Sequence, residues 1–144
     1  MPSGRTPLAI TMLTVAVVTA AYWITWYLVP DGKNWLATLP DDSGYIRFEN
    51  AFLIADAWMA VASLFAAIAL IKAQPAALPW LYMAGSAGLY LAGMDILFDV
   101  QNGIYGMIAG PRWDAVATEI AINAGTVGFS LWAIGWAANN RCWV

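Results

Sequence analysis

The sequence predicts an all-α, polytopic membrane protein: an antiparallel four-transmembrane-helix bundle with an interfacial loop between its first two spans. Three observations carry this. Of 144 residues, 62% are hydrophobic and only 10% charged, and the mean hydropathy is +0.66, far more apolar than a soluble domain of this length. Four apolar runs, at about residues 8–29, 47–71, 78–100 and 115–138, are each long enough to cross a bilayer. Nine tryptophans and six tyrosines suit two aromatic belts, because amphipathic rings settle at the headgroup level. The expectation is one transmembrane domain over residues 1–144, in contact with the lipid bilayer of a bacterial inner (plasma) membrane.

The first run follows a short polar leader containing Arg5 and ends in Tyr22, Trp23, Trp26 and Tyr27, an interfacial anchor. Val18-Thr19-Ala20 resembles a signal-peptidase site, but the apolar run continues past it, so a retained first span is expected. Pro30-Asp31-Gly32 stops that helix, and the turn-rich stretch to Gly44 reads as the surface loop, with Trp35, Leu36 and Leu39 dipping into the interface. The second span begins near Tyr45 or Arg47 and stops at Lys72. A connection from Gln74 to Pro79 is short enough to make the second and third spans antiparallel neighbours. After the third span, Asn102-Gly103 marks a helix end, and residues 104–113 read either as a loop or as a helical extension against the bundle. The fourth span opens at Asp114, and its Ala121-xxx-Gly125 and Ala124-xxx-Gly128 pairs give it the small-residue pattern of membrane packing.

Several chemistries are excluded. The chain has no histidine, and its one cysteine, Cys142, reads as an inert terminal thiol. There is no material for a Ser-His-Asp triad, a His-ligated haem, a Cys/His zinc site or an iron–sulfur cluster. A net charge of −3 with six scattered Lys and Arg argues against nucleic acid. Four spans put Arg5, Lys72 and Arg141 on one side, without acids, and Lys33, Arg47 and Arg112 with most acids on the other. The positive-inside count is therefore tied, and the acid-free side, with both termini, is expected to face the cytoplasm.

The third span carries the most informative stripe. Gly85, Gly88, Ala92, Asp95, Asp99 and Asn102 recur at spacings of three and four, so they share one helix face that begins in glycine and ends in acid. A carboxylate within a span costs on the order of 2.5 to 3.5 kcal/mol, which makes it a functional-site hypothesis by default. Matching stripes run through the second span (Glu49, Leu53, Asp56, Ala60, Ser63, Ala67) and the fourth (Glu119, Asn123, Thr126, Ser130). At 1.5 Å rise per residue Asp56 lies roughly 10 Å from Glu49, and acids from three helices should meet in one half of the bundle.

With Asn102, Asn123 and Thr25, these acids predict an oxygen-lined vestibule, walled above by Trp and Tyr and sealed below by Ala, Gly and Ser. Carboxylates this close need protons, paired arginines or a bound cation. An organic cation or amphiphile would use Asp56, Asp95, Asp99, Glu119 and Glu49, with Trp23, Trp26, Trp58 or Tyr90 as cation–π partners. Calcium or magnesium would use oxygen ligands such as Asp95, Asp99 and Glu119. The bland alternative pairs Arg47 and Arg112 with Glu49 and Asp114, leaves Asp99 in headgroup water, and has Asp95 bonded to Asn123 as packing glue.

Three resemblances bear on these residues. Gly93-x-Asp95-xxx-Asp99 is similar to the second half of the motif of CDP-alcohol phosphatidyltransferases, but the first half is missing and the spans are too few. Small multidrug transporters share the size, yet their membrane glutamate sits in the first span, which here has no acid. Four spans with buried acids and aromatics also look like the sterol-isomerase and sigma-2 receptor (EXPERA) class, which implies a membrane-embedded ligand pocket and assigns no residue role. Three functions stay open: binding or transport of a cation or small cationic amphiphile; a lipid-directed enzyme using Asp56 and Asp95 as general acid and base; or an accessory subunit of a homo-oligomer or larger membrane complex. A lipid-accessible apolar pocket beside the acids favours the second over a water-filled vestibule.

Overall fold

In a computed structural model, which describes residues 4–141, five α-helices form: α1 (Arg5–Leu28), α2 (Gly32–Leu36), α3 (Ser43–Ile71), α4 (Ala77–Gln101) and α5 (Trp113–Asn139). A 3₁₀ segment, Ile104–Ala109, joins α4 to α5. Cys142 and Trp143 lie outside the described residues. The four long helices are long and apolar enough to cross a membrane and mark an integral membrane protein. They pack antiparallel in chain order, α1 on α3, α3 on α4 and α4 on α5. Their outward faces stay apolar, with Ile54, Leu28, Val100 and Leu131 more than half exposed, as a surface facing hydrocarbon requires.

Local chemistry sets the ends. Asp31 takes a left-handed conformation (φ 59°) after Pro30, and Gly32 follows because a Cβ there would run into the Thr25 carbonyl oxygen. Thr25 is thus used to turn the chain out of α1. Asp42 caps α3, its Oδ1 accepting from the backbone N–H of Gly44 (2.7 Å) and Tyr45 (3.0 Å). At the far end Gln74 N–H bonds to Ala69 O and Ala73 N–H to Leu70 O, a Schellman closure with an alanine at φ 54° where glycine is usual. Asp114 lies in the first turn of α5, where an acid complements the helix dipole.

The core divides by end. Near the α3–α4 connection it is a block of small and aliphatic side chains, including Ala62, Ala66, Leu70, Leu81, Ala84 and Ala133. There α4 and α5 approach closely: a Cβ on Gly85 would lie 2.9 Å from Ser130 O, and one on Gly88 would collide with Ser130 Oγ. The glycines that permit this belong to α4. The small pairs expected to pack α5 do not serve that purpose, since a Cβ on Gly125 or Gly128 would meet nothing within 4 Å. At this end Gly4 also lies beside the Trp136 indole, bringing α1 and α5 together. Toward the other end these two helices part and leave a cleft between them.

Candidate functional site: a carboxylate cluster at the end of a lateral cleft

The cleft has a volume of about 440 Å³ and is bordered by α1, α3, α4 and α5. Its walls are mostly apolar, with Val18, Phe52, Met59, Leu91, Ile122 and Phe129 among them, and threonines from α1 and α5 are the added oxygens. Glu49, Asp56, Asp95, Glu119 and Asn123 also line it. Instead of an oxygen-lined vestibule, the fold makes an apolar slot with acids grouped toward one end. The reason is periodicity: the acid stripes of α3, α4 and α5 converge, while the facing side of α1 offers Ile10, Val15 and Val18.

Three carboxylates meet most closely. Glu49 from α3, Asp95 from α4 and Glu119 from α5 each present an oxygen, and these oxygens lie within 4.8 Å of one another. Such a trio could hold a metal ion. Two oxygens on one calcium are separated by at most about 5 Å, twice the usual bond length, so the spacing suits that ion. Asp99 is not part of the trio: one turn further along α4 it faces the 3₁₀ segment, and Glu49 takes the place the stripe suggested for it.

Each neighbouring acid has a neutral donor. Tyr22 Oη donates to Glu49 Oε2 (3.2 Å), Trp23 Nε1 to Asp56 Oδ2 (3.0 Å), and Thr38 Oγ1 to Glu119 Oε2 (3.3 Å). Asn123 Nδ2 donates to Asp99 Oδ2 and to Tyr105 Oη, both at 3.3 Å. Asp99 is only 1% exposed, and its Oδ1 is buried without a hydrogen-bond partner. The Tyr105 phenol is pushed up to about 12 by its partial burial, and then by its hydrogen bond to the Asp99 carboxylate and that group's charge.

The trio is covered at the end nearest the α1–α3 loop. The α1–α3 loop folds across it, with Leu36 bordering the cleft and Thr38, 1% exposed, reaching Glu119. The Thr38 N–H also donates to Tyr45 Oη (3.3 Å). Arg112 fastens the loop to the start of α5: its Nη2 donates to Asn34 O (2.9 Å) and Ala37 O (2.7 Å). The expected pairing of Arg112 with an acid gives way to this carbonyl latch, because the loop brings two acceptors within reach of the guanidinium. Arg47 is exposed on α3.

Other expectations shift. Asn102 is exposed, and its Nδ2 donates to Phe98 O (2.8 Å) in its own helix, so it closes α4 and does not face the acids. Trp58 is half exposed on the outer flank of α3, where it borders a separate groove with Met83, Ser86 and Tyr90. Trp26 donates to Asn50 Oδ1 (2.9 Å), and the Lys33 ammonium already lies over its ring, 5.8 Å from the centroid. Of the aromatic candidates, Trp23 alone reaches a cleft acid. Headgroup water at Asp99 does not describe the geometry, for Asp99 is buried and takes the Asn123 amide; the expected Asn123 bond to Asp95 is present beside it. Residues 104–109 are the 3₁₀ segment, packed on α5 and α4.

Tyr22, Thr38 and Tyr105 are functional candidates the sequence did not single out. Tyr22 was legible, one residue before Trp23 in the aromatic anchor. Thr38 and Tyr105 lie in connections, where no periodicity marks a facing side chain. Compared with known protein families, curated proteins and solved structures, the chain shows no match. The likeness to the EXPERA class therefore rests on helix number and buried acids alone.

Proposed function

We propose that this protein binds a small cationic amphiphile, with its charged nitrogen among Glu49, Asp95 and Glu119 and its apolar body in the cleft between α1 and α5. One observation carries the reading: carboxylates from three helices sit in a slot whose other walls are apolar. Asp56, held by Trp23, supplies a further negative charge along the cleft. With the loop covering one end of the trio, the side gap between α1 and α5 is the natural entrance from the bilayer. The apolar walls exclude water and strengthen each ion–carboxylate interaction.

Dodecylamine should raise the thermal midpoint of the purified protein, and dodecanol, of equal chain length, should not. Asp95→Asn and Glu119→Gln should each abolish the amine effect. Equal stabilisation by the alcohol, or persistence of the amine effect in both variants, sinks this reading. The same apolar cleft supports a second one, acid–base catalysis on a lipid-like substrate. The acids suited to it are Asp95 and Glu119, which adjoin, and not the expected pair with Asp56, whose carboxylate is held by Trp23.

A further inference from the structure

We propose that the cleft accepts one unbranched alkyl chain of at most about twelve carbons, whose far end stops against Met59 and Phe129. The inference rests on the reading above, with the amine at the carboxylate trio, and adds the kind of apolar body the slot selects. Two features of the cleft carry it, its closed end and its section.

Met59 from α3 and Phe129 from α5 line the cleft and also belong to the core packed beyond it. They meet over Gly88 of α4, where a Cβ would lie 2.9 Å from Phe129 Cζ and 3.4 Å from Met59 Sδ. Space too small for a methyl group does not pass a hydrocarbon chain. On the α1 side, Leu8 and Met12 are fully buried in the same core, so the first helix closes onto the bundle there. The slot ends where the packed half of α4 begins.

Length and section follow from the helices. Glu49 to Met59 on α3 and Glu119 to Phe129 on α5 each cover about 15 Å at 1.5 Å rise per residue, and Tyr22 to Ile10 on α1 about 18 Å. A volume of about 440 Å³ over that distance gives a mean section of roughly 24 to 29 Å². An alkyl chain with neighbours about 4 Å away takes up roughly 16 to 20 Å². One chain fits, and two chains side by side or a fused ring system do not. With C–C bonds of about 1.5 Å a zigzag chain advances about 1.25 Å per carbon, so 15 Å holds about twelve. Gly125 keeps the path open: it lines the cleft between Glu119 and Phe129, and a Cβ there would meet nothing within 4 Å. A larger side chain at that position occupies the slot without disturbing the core.

Dodecylamine bearing a diazirine at its far end tests this on the full chain in lipid bilayers, with the photolabelled residues read by mass spectrometry. The label should fall on Met59 and Phe129; dodecylamine should displace it, and didodecylamine at equal mole fraction should not. Gly125→Leu should cut the labelling by about tenfold or more, the scale of overpacking. The displacement comparison uses the parent protein alone, so it decides even if the variant fails to fold. Labelling confined to other cleft residues, equal displacement by didodecylamine, or full labelling in folded Gly125→Leu overturns the proposal. If Asp95→Asn still abolishes labelling in those cases, the amine reading stands without it. Dodecanol bearing the same diazirine separates the two in the other direction: equal labelling of Met59 and Phe129 by the alcohol sinks the amine reading and leaves the single-chain slot. No labelling of the cleft by either probe sinks both.

Discussion

The two halves of α4 make opposite use of the same helical spacing. From Gly85 to Ala92 the stripe removes side chains so that α5 can come close, and Ser130 and Ile134 fill the space a Cβ would need. From Asp95 to Asp99 the stripe adds charge, and the helices around it stand apart enough to leave a cleft. The packed half has little to lose but shape. The acidic half keeps several carboxylates away from water, each near a donor that a purely structural core would not require. Stability should therefore be concentrated in the first half and spent in the second.

The sharpest way to break this contrast is at Gly88. Gly88→Val places methyl groups where Ser130 Oγ and Phe129 already lie, and overpacking of this kind costs about 1–3 kcal/mol or more, read as a fall in the thermal midpoint. Adding Ser130→Ala should recover part of the loss, because it removes the colliding oxygen, itself buried without a partner. Gly128→Ala should be nearly neutral, since its Cβ meets nothing. A comparable loss at both glycines would mean that α5 packs through the face its sequence advertises.

At the other half, the sign should depend on what is removed. Trp23→Phe keeps the ring but takes the donor from Asp56, leaving a part-buried carboxylate short of a partner at a cost of about 1–3 kcal/mol. Glu119→Gln keeps the acceptor for Thr38 and takes an ionisable carboxyl out of the trio. Without ligand it should raise stability, on the order of 1 kcal/mol, the usual direction when a functional site is relieved of strain. A lowered midpoint for Glu119→Gln would instead make the trio a structural element.

The long helices and the depth of the acids were legible because both are written in periodicity: apolar runs of spanning length, and stripes at three-and-four spacing. Asp56, Asp95 and Glu119 fall on one cleft for that reason. What periodicity cannot reveal is how far a stripe rotates from its neighbour one turn on. Asp95 reaches the trio while Asp99 turns to Tyr105, and Glu49, which looked interfacial, is only 8% exposed. The same limit hid the direction of the small-residue pairs on α5. Loop partners were illegible altogether: nothing in residues 30–42 announces that Thr38 will meet Glu119, or that Arg112 will prefer the Asn34 and Ala37 carbonyls to an acid.

The smallest expected effect lies where the acidic half meets water. In the folded state the Tyr105 phenol is raised from 10.0 to about 12, so the unfolded chain releases its proton first as pH rises. The stabilising contribution is complete below pH 10 and is lost progressively toward pH 12, because deprotonation there favours the unfolded state. Tyr105→Phe removes this part of the alkaline loss and leaves that of the other tyrosines, so the difference between the two stability curves should narrow steadily across that interval. Partial exposure of the phenol keeps the effect small. Parallel curves through pH 12 would mean that Tyr105 does not feel the Asp99 carboxylate, and that the polar group beside the cleft ends at Asn123.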